Sequence, residues 1–229
     1  MNLGIIADIH ADVRALAQAL DLLTHQGADL IVCAGDLVEK GVDGDAVIQL
    51  LQAEQILSVQ GNHDADIFSN QVFLREHGDP HNPNLRARLL MDSTLDYLRV
   101  LPTTLRLTLE DRLILVAHGT PWNRNEYVFP PVPPKQWRSD LAHYSAAQRS
   151  TFLRMAVEGA DIVILGHTHL PMCIRAGGML VLNAGSVCGP QWGSHTCGLL
   201  PLPKGVFTVY DIGTGLPVQI DEIGFNIES

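Results

Sequence analysis

Leu3-Gly4-Ile5-Ile6-Ala7-Asp8-Ile9-His10 opens the chain with a short apolar run that ends on a carboxylate and an imidazole. An apolar run without polar alternation marks a strand covered on both faces, as parallel strands flanked by helices are. In open α/β sheets ligands bind at the carboxyl edge of such strands. The pattern recurs four times. Leu30 to Ala34 leads into Gly35-Asp36, Ile56 to Val59 into Gly61-Asn62-His63-Asp64, Leu113 to Ala117 into His118-Gly119, and Ile162 to Leu165 into Gly166-His167-Thr168-His169. Each motif alone is weak, because a DxH or Gly-Asp pair after a strand is ordinary turn chemistry and a strand-end histidine is commonly structural. Together they put ligating side chains at five strand ends, so they are expected to converge.

The intervening sequence supports an α/β fold. Val13, Leu16, Ala17, Leu20 and Leu23 recur at helical spacing, and Ala46 to Gln52 reads as helix, giving βαβαβ for the first half. Leu85 to Leu101 reads as a helical stretch with Ser93 or Thr94 as an internal cap and Pro102 as a stop. Leu105 to Leu109 pairs with Leu113 to Ala117 around Glu110-Asp111, and a helix is expected from about Ser145 to Val157. Met172 to Arg175, Met179 to Leu182, Val206 to Tyr210 and Val218 to Ile220 read as strands of a second, partly antiparallel sheet. Two sheets with helices outside fit this order, with the active edge where the halves meet.

Composition sets outer bounds. The 229 residues, 46% hydrophobic and 17% charged, suit one globular domain with an ample core. A net charge of -10 argues against a non-specific nucleic-acid binder, which needs a basic surface. A small phosphorylated substrate is compatible, because bound cations reverse the field of an acidic cleft. Met1-Asn2 leads straight into a strand without the basic and apolar regions of a signal peptide, and no apolar run reaches membrane-spanning length, so the expectation is cytoplasmic. Cys33, Cys173, Cys188 and Cys197 lack CxxC spacing; buried thiols are the plain reading, and a structural zinc would oblige Cys188 and Cys197 to recruit distant ligands. Edge strands leave a homo-oligomer open.

Seven side chains can ligate metal: Asp8, His10, Asp36, Asn62, His118, His167 and His169. Carboxylates and imidazoles in this number suit two cations, with one imidazole, His63, left for proton transfer. Asp8 and His10, two apart in extended chain, are expected to face one cation. Asp36 is expected to bridge two ions, the neighbouring Gly35 permitting close backbone approach. The bland reading of Gly61-Asn62-His63-Asp64 is an Asn-containing turn capping a short helix through Ala65 to Phe68.

The series DxH, GD, GNHD, HG, GHTH, spanning Asp8 to His169, resembles that of the calcineurin-like metallophosphoesterases, in particular their small bacterial and archaeal phosphodiesterase branch. Asn183-Ala184-Gly185-Ser186 looks like the loop that follows in that branch, with Ala184 where proline is common. The resemblance implies a four-layer αββα sandwich of two mixed β-sheets flanked by helices. It also implies that Asp8, His10 and His169 hold one ion and Asn62, His118 and His167 the other. Asp36 would bridge both, and His63 would stand unligated near the leaving group. The mixed oxygen and imidazole shell suits manganese, iron, cobalt, nickel or zinc. A hydroxide bridging two such ions would attack phosphorus in line while His63 protonates the departing alkoxide.

Asp36-Leu37-Val38-Glu39-Lys40-Gly41 resembles the GDxxDRG element of serine/threonine protein phosphatases. By that analogy Glu39 orients His63 and Lys40 touches substrate phosphate; the plain alternative is a solvated charge pair. The Pro- and aromatic-rich segment 119–140 should border the site, where Trp122, Tyr127 and Phe129 either stack on a nucleobase or pack under the loop. The expected activity is a metal-dependent phosphoric ester hydrolase, foremost a phosphodiesterase on small phosphodiesters or nucleotides. A phosphoprotein phosphatase, a dinucleoside polyphosphate hydrolase and a non-catalytic scaffold are the alternatives.

Overall fold

In a computed structural model that describes residues 1–79, 81–129, 141–203 and 205–225, the side chains of 141–148 excepted, the chain alternates strands and helices, then turns strand-rich. The order is β1 (Asn2–Ile6), α1 (Val13–His25), β2 (Leu30–Cys33), α2 (Gly44–Ala53), β3 (Leu57–Ser58), α3 (Asn62–His77), α4 (Pro83–Arg86), α5 (Asp92–Val100), β4 (Thr104–Leu109) and β5 (Arg112–Ala117). It continues α6 (Leu141–Val157), β6 (Ile162–Leu165), β7 (Pro171–Ala176), β8 (Met179–Ala184), β9 (Thr196–Pro201), β10 (Thr208–Asp211), β11 (Pro217–Val218) and β12 (Glu222–Phe225).

Two mixed sheets result. One runs β11-β10-β9-β1-β2-β3, the other β12-β7-β8-β6-β5-β4. Within the first, β1, β2 and β3 are parallel with Ile5 opposite Val32, and β9 joins β1 antiparallel. In the second, β5, β6 and β8 are parallel and β7 returns antiparallel.

Strand alternation sorts each apolar run between two faces. Leu3, Ile5 and Ala7 meet Ile114, Val116, Ile162 and Ile164 between the sheets. Ile6 turns the other way, toward Leu16, Leu20 and Leu23 of α1 and Leu51 of α2. Leu115, Val163 and Leu165 face Phe152 and Met155 of α6 on the far side. Helix, sheet, sheet, helix is therefore the order of layers, the αββα sandwich. Each large side chain so buried is worth about 1.5–3 kcal/mol against exposure, which is why continuous apolar runs settle into central strands.

Several local expectations shift. Val206 to Tyr210, expected in the second sheet, supplies β10 to the first, because β9 lies between it and β1. Val218 to Ile220, also expected in the second sheet, gives only β11 (Pro217–Val218), which pairs with β10 in the first, and β12 begins at Glu222. Leu85 to Leu101 is not one helix: Gln71 Oε1 accepts the Leu90 N–H at 2.9 Å and Asp45 Oδ1 that of Met91 at 3.0 Å, diverting the backbone between α4 and α5. The helix expected through Ala65 to Phe68 extends over the whole of α3, Asn62–His77. All four cysteines are buried free thiols. Residues 130–140 of the expected 119–140 loop, with Trp137 and Pro130, Pro131, Pro133 and Pro134, lie outside the described residues. Among the described residues no helix is long and apolar enough to cross a membrane.

Candidate metal centre

The five motifs meet at the carboxyl ends of β1, β2, β3, β5 and β6, and the backbone there is unusual. Among the described residues, twelve that are not glycine have positive φ, and eight of them lie here: Asp8, His10, Ala11, Asp36, Glu39, Lys40, His167 and His169. Left-handed conformations cost such residues about 1–3 kcal/mol each and persist where the surroundings impose them, typically at functional sites. They also correct the sequence reading of Asp8 and His10. β1 ends at Ile6, so the two side chains are brought together by a left-handed turn and not by strand alternation.

Two glycines let the loops close on each other. Gly35 has φ +92°, and a Cβ there would lie 2.8 Å from the Gly61 nitrogen. A Cβ on Gly61 would lie 2.1 Å from Asp36 Oδ1. This close approach sets the Asp36 carboxylate over the start of α3, where Oδ1 accepts the His63 N–H at 2.9 Å.

All seven ligand candidates come together, with His63 beside them. Ligating atoms of Asp8, His10 and His169 form one group that could hold a metal ion, those of Asp36, His118 and His167 a second, and those of His10, Asp36 and His63 a third. Asp36 Oδ2 stands between the groups, 3.7 Å from His10 Nε2 and 3.2 Å from His118 Nε2. Asn62 Oδ1 lies 3.0 Å from His118 Nε2, and Asp8 Oδ1 lies 3.4 Å from His169 Nε2. Asp8, His10, Asp36 and His118 are all fully or almost fully buried.

Protonation and tautomers define the electrostatics of the site. His118 Nδ1 donates to the Ala34 carbonyl at 2.7 Å and His169 Nδ1 to that of Trp192 at 2.7 Å, which leaves each Nε2 lone pair facing the centre in the neutral ring. Around His118 Nε2 two oxygen acceptors, Asp36 Oδ2 and Asn62 Oδ1, then crowd with no donor among them. Without metal a proton must serve. Burial opposes charge on His118, but the Asp36 carboxylate beside it pushes its pKa up to about 9. Burial opposes charge on His169 too, and contact with Asp8 and Cys188 carries it up to about 10. Burial also opposes ionisation of Asp36, yet the facing His118 holds it well below the usual carboxylate range. Burial lowers His10 and His167 to about 4, so both are neutral, and His10 Nδ1 and His167 Nε2 are buried without any hydrogen-bond partner. Converging lone pairs, an orphaned imidazole nitrogen and buried carboxylates fit divalent cations with mixed oxygen and nitrogen coordination.

The surrounding shell fixes these groups. His63 Nδ1 lies 2.7 Å from Glu39 Oε2, and this hydrogen bond, against partial burial, raises the His63 pKa. Lys40 Nζ lies 2.9 Å from His10 Nε2, so Glu39 and Lys40 face the centre and are not a solvated pair. Tyr127, exposed, stacks on the His167 ring at 3.8 Å and on Phe129 at 5.5 Å. Trp122 packs under the loop, its Nε1 donating to Glu126 at 2.8 Å and the Arg154 guanidinium 3.9 Å over its ring. Two contributors escaped sequence reasoning as site residues. Buried Asp64 accepts the N–H groups of Leu37, Val38 and Gly61, tying the Asp36 loop to α3; its signal is an acid in the first turn of a helix. Asn183 Nδ2 donates to the Gly166 carbonyl at 2.7 Å and secures the His167 loop, a role its strand-end position could have suggested.

A family model described as the calcineurin-like phosphoesterase superfamily domain matches residues 1–204, and the chain belongs to that family. Phosphodiesterase YfcE of Escherichia coli K12 is 24% identical over 204 residues, covering 85% of this chain and 83% of its own. A phosphodiesterase of Methanocaldococcus jannaschii is 22% identical over 206 residues, covering 89% of this chain and 95% of its own. The crystal structure of a metallophosphoesterase from Sphaerobacter thermophilus shares the fold, with a TM-score of 0.59 and 22% identity over 88% of this chain and 84% of that one. The protein is accordingly a phosphoester hydrolase of a metal-dependent family.

Proposed function

We propose that the protein is a phosphodiesterase acting on small phosphodiesters or nucleotides through a dinuclear metal centre. The observation that carries this reading is the place of Asp36: one carboxylate oxygen reaches toward both His10 and His118, each of which belongs to a separate ligand group. Asp8, His10 and His169 would hold one ion, Asn62, His118 and His167 the other, and Asp36 both. Manganese, iron, cobalt, nickel or zinc suits this donor set. When bound, such cations would supply positive charge opposite the phosphoryl oxygens and acidify a water nucleophile.

The chain's own groups supply the rest. His63, whose pKa the hydrogen bond to Glu39 raises, donates its proton to the departing alkoxide, a contribution of about a hundred-fold to ten-thousand-fold. Lys40 directs an ammonium at the centre, where it meets the phosphate charge as a point cation. Two of the ligand histidines, His118 and His169, are oriented by the backbone carbonyls of Ala34 and Trp192, which keep Nε2 turned inward.

The test is one panel run with and without added metal: an aryl phosphodiester, an aryl phosphomonoester, a dinucleoside polyphosphate and a phosphopeptide. Metal-dependent turnover is expected to be fastest on the diester. Because Glu39-Lys40 resembles the protein-phosphatase element, preference for the phosphopeptide would move the assignment to a phosphoprotein phosphatase. A metal-loaded protein inert on every substrate would make it a scaffold.

A further inference from the structure

A cavity of about 500 Å³ opens beside the metal centre, lined by α3, by residues 40–44 and by the 87–90 segment. It is joined to the centre by shared residues. Glu39, which holds His63, and Lys40, whose ammonium reaches His10, both line it. Trp192, whose carbonyl orients His169, stands at another side. A group attached to phosphorus at the centre therefore has this space next to it.

The lining divides by chemistry. Ile67 and Leu90 are buried apolar walls, and Leu74 and Phe73 extend the same face from α3. Cations gather toward residue 40: the Arg88 guanidinium donates to the Lys40 carbonyl at 3.3 Å, so two positive side chains flank one end. Two amide side chains of the lining are tied to the protein itself. Gln71 donates to the Arg88 carbonyl at 2.8 Å and accepts from Leu90 at 2.9 Å, and the Asn70 amide donates to Glu39. The volume falls within the roughly 300–1,000 Å³ of small-molecule pockets.

Resting on the hydrolase reading above, we propose that this cavity receives the organic group of the ester, and that the enzyme selects phosphoesters of aromatic or other bulky apolar alcohols by shape. Lys40 and Arg88 attract the phosphate end, and Ile67, Leu74 and Leu90 accept carbon. With buried apolar walls at Ile67 and Leu90, the size of the organic group decides how well it fits.

Two phosphonates that cannot be hydrolysed test this as competitive inhibitors of metal-dependent bis(4-nitrophenyl) phosphate hydrolysis. Phenylphosphonate should inhibit at least about ten-fold more strongly than methylphosphonate, the gain from burying one ring. Leu74→Trp and Ala87→Phe, which place bulk in the cavity, should bring the ratio of the two inhibition constants toward one. The ratio is internal to each protein, so loss of folded enzyme cancels. A ratio near one in the active wild-type enzyme would overturn this inference alone. So would a ten-fold ratio unchanged in both variants, which would put the ring elsewhere, such as on Tyr127. Absence of metal-dependent hydrolysis would overturn the hydrolase reading and this inference with it.

Discussion

Replacing Gly61 with alanine tests the convergence of the loops by the smallest possible change. The added Cβ would stand 2.1 Å from Asp36 Oδ1, 2.3 Å from the Asp36 backbone nitrogen and 2.8 Å from Asp36 Cγ, well short of the 3.4 Å at which ordinary contact begins. Gly61 has φ -84°, which alanine adopts freely, so the effect is steric and not conformational. The backbone contact admits no relief by rotamer change, and the Asp36 loop must move by about 1 Å, at a typical overpacking cost of about 1–3 kcal/mol. For a chain of this size that lowers the melting temperature by roughly 2–12 °C. Function should suffer more, since a misplacement of about 1 Å in a reacting constellation costs about a hundred-fold in rate. Gly178→Ala is the control, because a Cβ at Gly178 meets nothing within 4 Å. Thermal melts, metal content by elemental analysis and steady-state turnover on an aryl diester read all three consequences. A Gly61→Ala protein that melts, loads metal and turns over like wild type would refute the geometry drawn around Asp36.

His63→Ala should keep metal content near wild type while turnover falls by about a hundred-fold to ten-thousand-fold; equal turnover would remove His63 from the chemistry. Metal binding should release protons. His118 and His169, raised to about 9 and about 10, carry protons at pH 7.5 in the metal-free protein and must lose them to ligate, so affinity rises with pH through neutrality. Calorimetric titration in buffers of different ionisation enthalpy should report up to about two protons released per chain, and no release would contradict the assigned protonation states.

How much of this was legible in sequence depended on whether the signal was local. β1, β2 and β6 read clearly because burial on both faces leaves an uninterrupted apolar run, and the turns after them carry the ligands. α3 did not read as a full helix because its buried face is Asp64, Ile67 and Gln71, while Val72 and Phe73 are exposed, so no apolar stripe exists to find. β9 was hidden by Gly198 and Pro201 within a short run, and missing it sent β10 to the wrong sheet. Register and sheet order arise from pairings between distant segments, which no window of sequence contains. The candidate ligands were legible by type, but not the left-handed turn that brings Asp8 and His10 together. Nor was the contact of Lys40 with His10, since two residues 30 apart meet only through the fold.

The measurement that bears most directly on the central claim is a metal titration of chelator-stripped protein, followed at once by bound-metal stoichiometry and by diester hydrolysis, in wild type and Asp36→Asn. The account predicts that wild-type activity returns as two ions bind per chain and that Asp36→Asn weakens both sites together. Full activity in stripped protein, or two ions retained undiminished by Asp36→Asn, would contradict it.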